Sequence, residues 1–119
     1  RISAADEYGM VSCVSCDKRM HWKECDGGHY IAKGSSSYWA LEPENIHPQC
    51  KGCNAFGMSK GSAEGQYTLW MINYYGIEFV EQMHRDKHKP KKLYVADYRE
   101  MLAGFQASIK HHEKRIGQC

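Results

Sequence analysis

The chain has 119 residues, 16 Lys+Arg against 14 Asp+Glu, a net charge of +2 and 42% hydrophobic residues. These figures describe a single globular domain and exclude a disordered chain. No run approaches the ~20 apolar residues of a membrane span, and nothing like a signal peptide opens the sequence.

In chain order, residues 1–12 lead into Cys13-Val14-Ser15-Cys16, the first of two Cys-x-x-Cys knuckles; the second is Cys50-Lys51-Gly52-Cys53. Two knuckles supply four thiolates, the donor set of a closed tetrahedral Zn²⁺ site. Two disulfides or a redox pair are the alternatives, but a redox Cys-x-x-Cys opens a helix within a βαβ pattern, and none is visible. Cys25 reads as a small buried hydrophobe and Cys119 as a tail thiol. Residues 17–32, with Met20, Trp22, Tyr30 and Ile31, suggest a short hairpin bent at Gly27-Gly28. Gly34-Ser35-Ser36-Ser37 reads as a flexible loop, and Pro43 and Pro48 block a helix before the second knuckle.

From Gln66 to about His84 the pattern is helical: Tyr67, Trp70, Met71, Tyr74 and Tyr75 form a stripe that Gly76 interrupts and Ile77, Val80 and Met83 continue. A basic connector, 84–92, contains Pro90. A last helix is expected over Val95–Ile116, with Met101, Leu102, Phe105, Ile109 and Ile116 on a face assigned to the core. Its Lys110, Lys114 and Arg115 suit the negative end of the helix dipole. The division expected is 1–64 for the metal-binding core and 65–119 for a helical part of the same domain.

The two knuckles are 33 residues apart, where an ordinary zinc ribbon has about 15–20. The insert holds Asp26-Gly27-Gly28-His29-Tyr30 and Asn45-Ile46-His47-Pro48-Gln49, and Asn54 directly follows the second knuckle. This order of Cys pair, His, Asn, Cys pair and Asn resembles the zinc-bearing HNH nucleases. The stretch CVSC…DGGHY…NIHPQCKGCN is similar to the NinG (Rap) recombination endonuclease family of lambdoid phages, and Cys-x-x-Cys-Asn also resembles phage endonuclease VII. The resemblance covers nearly the whole chain; the long basic N-terminal region usual in that family lies outside this sequence.

The resemblance implies an α+β fold, a small ββα-metal (HNH) core stapled by the four-cysteine zinc site, with a helical C-terminal extension. It implies a DNA endonuclease acting on branched recombination intermediates in the host bacterial cytoplasm. His29 matches the general base of such enzymes, a role suited to a group titrating near neutral pH. Asn54 matches a helix-borne ligand for catalytic Mg²⁺ or Mn²⁺, with a helix cap as its bland alternative. Asn45 matches the Asn that pins the connecting loop. Many HNH nucleases carry an Asp ligand just before the base; here that position is Gly28, and Asp26 is the candidate replacement. His47 either lines the site, as a cofactor-binding residue or a donor to phosphate, or packs. The zinc would be structural, since four thiolates leave it no open position.

Lys33, Arg85, Lys87, Lys89, Lys91 and Lys92, with the Lys110–Arg115 run, are expected to form a phosphate-binding rim for duplex or branched DNA. A homodimer would suit two coordinated cuts. The rival from another class is a non-catalytic zinc module that binds DNA or a recombination protein.

Overall fold

The computed structural model describes residues 1–116; the expectation for Cys119 lies outside them. Strand β1 (Met10–Ser12) pairs antiparallel with β2 (Arg19–His21), Val11 opposite Met20, both buried. The turn between them is the first knuckle, closed by Cys13 N–H to Lys18 O at 2.9 Å. Asp17 there takes φ 65°, a left-handed conformation that Asp tolerates better than most residues.

Strand β3 (Asp26–His29) pairs antiparallel with β4 (Ile46–Gln49), in the unbroken register Asp26↔Gln49, Gly27↔Pro48, Gly28↔His47 and His29↔Ile46. The hairpin expected over 17–32 does not form: β2 pairs upstream, and Gly27-Gly28 lie within a strand. The glycines serve close approach there, because the side chain of Gln49 fills the space over Gly28. Between β3 and β4 the loop buries Tyr30, Ile31 and Trp39. Its serine stretch is tied down, Ser36 Oγ accepting from Trp39 N–H and Ser37 Oγ from Lys91 N–H.

After β4 the chain turns at once into a helical segment, a π-helix over Cys53–Gly57 continued by α1 (Met58–Lys60). Helices α2 (Ala63–Tyr75) and α3 (Ile77–Asp86) follow, separated at Gly76. Gly76 adopts φ 92° while its N–H caps Ile72 O at 2.9 Å, a conformation open to glycine and costly for a side chain. α3 reaches Asp86, so Arg85 is helical and the basic connector is shorter than expected. Gln82 supports that last turn by donating to Asp86 and accepting from Arg85.

One core cluster joins Val14 of the knuckle and Tyr30, Ile31 and Trp39 of the loop to Tyr67, Met71, Val80 and Met83 of the helices. Trp39 also donates its indole N–H to Met83 O at 3.0 Å. Truncating Met71 or Met83, both fully buried, to Ala should cost about 2–5 kcal/mol. A second cluster packs Ile2, Ala5, Val11, Met20 and Cys25 with Ile116.

Helix α4 (Val95–Ile116) forms where expected, but its apolar face is not core. Leu102, Phe105 and Ile109 are 56%, 42% and 44% exposed. The helix is anchored at its end, where Ile116 is buried and Arg115 donates to Ile2 O and Ala5 O. That leaves its middle turns standing off the body. Among the described residues, no helix is long and apolar enough to cross a membrane.

Candidate metal centre and neighbouring clefts

The sulfurs of Cys13, Cys16, Cys50 and Cys53 all lie within 4.8 Å of one another, the group of donors among the described residues close enough to hold a metal. Zn–S bonds of about 2.3 Å in a tetrahedron require sulfur–sulfur edges of about 3.8 Å; Cys16 and Cys50 are 3.7 Å apart. Both knuckles are locked to the body. Val14 N–H donates to Pro48 O, and Gln49 Nε2 donates to Ser15 Oγ, which in turn donates to Ala63 O. Burial opposes a thiolate at Cys50, but hydrogen bonds from Cys53 and the other cysteines outweigh it and bring Cys50 down to about 7. Burial and the same neighbours push the Cys53 thiol up. Four thiols this close cannot all ionise without a cation among them, so metal binding there must release protons.

Asp26 begins β3 beside this centre. Lys51 Nζ lies 2.9 Å from its Oδ1 and Asn54 Nδ2 donates to its Oδ2 at 3.0 Å; these two, Lys51 first, hold its carboxyl below the usual range. Asp26 and Asn54 are thus brought together, as two hard-oxygen residues, and Lys51 is a third member that the sequence did not single out. Its only signal was its place inside the second knuckle.

The position before His29 is closed to a carboxylate. A Cβ on Gly28 would fall 1.8 Å from Gln49 Oε1, a buried oxygen with no hydrogen-bond partner. By the pleat, Asp26 shares a face with Gly28 while His29 projects to the other face. There His29 borders a cavity of about 250 Å³ with Glu64, His84 and Lys87. Its Nε2 lies 2.8 Å from Ala40 O. A carbonyl only accepts, so Nε2 carries the hydrogen and Nδ1 of the neutral ring is left as an acceptor. Any residue supplies a carbonyl, so nothing in the sequence singled out Ala40.

Asn45 is wholly buried and bonds backbone on three sides: Oδ1 accepts from Ile31 N–H, and Nδ2 donates to Ile31 O and Trp39 O. It clamps the loop that carries Ala40. His47 is occupied at both nitrogens, by Tyr67 OH at 3.0 Å and Tyr75 OH at 2.9 Å. Tyr67 spends its proton on Gly28 O, so His47 Nδ1–H donates to Tyr67 and Nε2 accepts from Tyr75. Burial first, then the positive N-terminus, drives the His47 pKa down to about 4. This ring is a neutral brace between β4 and α2.

The basic residues divide. Lys89 pairs with Asp86 at 2.9 Å and Lys91 pairs with Glu42, which fastens the connector to the loop. Lys87 faces the His29 cavity, and Lys92 lies over the Tyr94 ring. Lys33 is exposed.

Fold and site together define a small α+β protein with four clustered cysteines able to bind a metal. The family model of the bacteriophage lambda NinG protein matches residues 3–115, and the chain belongs to that family. No curated protein and no solved structure matches it.

Proposed function

We propose that this protein is a metal-dependent DNA endonuclease acting on branched recombination intermediates in the host cytoplasm, with His29 as general base. The observation that carries the reading is the held tautomer: Ala40 fixes the Nε2 hydrogen and leaves Nδ1 ready to take a proton. Water oxygen attacks phosphorus as its proton passes to Nδ1, and the bond from phosphorus to the leaving oxygen breaks. Lys87 in the same cavity would pair with the phosphate. The order β3, β4, helix, with Asn54 at the helix start, supports reading this part as a ββα-metal core. Asp26 and Asn54, on the face of β3 away from His29, would hold Mg²⁺ or Mn²⁺ with Lys51 displaced, and the chemistry such an ion would supply is stabilisation of charge on a phosphate and its leaving oxygen. The cysteine-bound zinc would be structural.

The test is cleavage of a synthetic four-way junction and nicking of supercoiled plasmid with Mg²⁺ or Mn²⁺. His29→Ala should lose at least about 10²–10⁴-fold in rate, with zinc content unchanged and melting lowered only by the lost bond to Ala40 O, about 0.5–1.5 kcal/mol. Near-normal cutting by that variant would sink the assignment. Two observations favour a second reading, a non-catalytic zinc module: Asp26 and His29 face opposite sides of β3, and Lys51 already neutralises Asp26. Under it the wild-type chain binds DNA and cuts nothing with either ion.

A further inference from the structure

The apolar positions of α4 recur at alternating intervals of three and four. Val95, Leu102, Ile109 and Ile116 occupy one set and Tyr98 and Phe105 the other, the a and d positions of three heptads, with the polar His112 at the last d position and Ile116 already covered by the body. A repeat of 3.5 residues, not 3.6, is the signature of a helix whose partner is another helix wound along it. From Val95 to Ile109 this seam is open, Val95 being 65% and Tyr98 52% exposed. A 22-residue helix that is packed at one end and carries Gly104 in its middle has little to keep it helical in water; a partner along the seam would supply that.

We propose that the partner is α4 of a second copy of this chain, wound antiparallel. The flanking charges select this occupant and this direction. The e positions are Arg99, Gln106 and Glu113, and the g positions are Met101, Ser108 and Arg115. In an antiparallel pair e faces e. The register that sets Phe105 against Ile109 of the partner subunit then brings Arg99 to Glu113 of the partner subunit, twice by symmetry, with Gln106 meeting its own copy at the axis. A parallel pair would set g against e, Met101 near Gln106 and Ser108 near Glu113, with no opposite charges to align. Only α4 enters here, so the dimer stands or falls independently of the endonuclease reading.

The test is sedimentation equilibrium of the full zinc-loaded chain in a thiol reductant, which prevents disulfide cross-linking between copies. The expected particle is twice the 13.7 kDa chain mass. Arg99→Glu alone and Glu113→Arg alone should each weaken the dimer by about tenfold, since two attractions become two repulsions. Arg99→Glu with Glu113→Arg should restore it to within about threefold of wild type by the same pairing rule. Leu102→Lys should give a monomer with zinc content and body melting unchanged, which separates loss of pairing from loss of folding. A wild-type chain that stays monomeric up to its solubility limit overturns the proposal. So does a dimer indifferent to the charge reversals, or one that both reversals break and their combination fails to restore.

Discussion

Gln49 lies where a side chain on Gly28 would begin: its buried Oε1 is 1.8 Å from the position a Cβ would take. Gln49 cannot swing aside freely, because its Nε2 is bonded to Ser15 inside the first knuckle and Ser15 to Ala63. The strand before His29 is thereby keyed to the cysteine centre, and an added carbon must strain one of them. Gly28→Ala should cost about 1–3 kcal/mol, an overpacking penalty, lowering the melting temperature by at least about 4 °C in a domain of this size. Gly28→Asp should be worse, since it sets a carboxylate against an unpartnered oxygen. Combining Gly28→Ala with Gln49→Ala should cost less than the two singles added. Additive losses in thermal melts would show that the two side chains do not compete for this space.

How much of this was legible follows from how local each signal is. The knuckles, Asn54 beside the second one and the break at Gly76 are written within a few residues, and each stands where the spacing put it. The pairing of β3 with β4 was not legible, because Asp26-Gly27-Gly28-His29 has no apolar alternation and two glycines imitate a turn. Whether Ala40 or another backbone group would orient His29 depends on how a 16-residue loop folds over it, and no side chain advertises a carbonyl. In α4 the periodicity was visible, but an apolar stripe says that something covers it, not what. Assigning it to the core assumed that the body was near enough to reach.

Metal removal should dismantle the knuckle end of the molecule. Cys50→Ser should abolish zinc binding at the four cysteines and unfold 13–54, because binding by four thiolates is worth about 10–16 kcal/mol in structural sites, as much as a whole domain's stability. Cys25→Ser is the control. Cys25 is buried but bonds Trp22 O instead of joining the four-sulfur cluster, so its replacement should keep the metal. Zinc stoichiometry and melting curves of the two variants decide the matter, and a Cys50→Ser protein that keeps both would remove this cysteine from the centre.

Acid should find His47. Its folded pKa is depressed to about 4, against 6.5 for the free group. Between those values the unfolded chain binds a proton that the folded chain refuses, so stability falls as pH drops through that window. The folding equilibrium should shift by at most about tenfold per pH unit from this residue. Above the window His47 contributes no slope. His47→Gln removes the titration and should flatten the fall of the urea midpoint between pH 6.5 and 4 relative to wild type. Parallel curves for the two proteins would show that His47 is protonated at its ordinary pH.

The lysines should differ in how they meet DNA. Lys89 and Lys91 already have carboxylate partners in Asp86 and Glu42, so moving them to phosphate would break pairs that fasten the connector. Lys87 faces the His29 cavity and Lys92 stands over Tyr94, with no such pair to give up among the described ion pairs. Removing one phosphate-bound cation should flatten the log-affinity against log-salt slope by about 0.9 on duplex DNA, so Lys87→Ala with Lys92→Ala should take away about 1.8. The weakening should be the same on every sequence, because ion pairs with phosphate carry no base information. Lys89→Ala should leave the slope within error. Equal slopes for the double variant and wild type would place the DNA elsewhere, and Lys33, exposed in the loop after β3, would be the next position to replace.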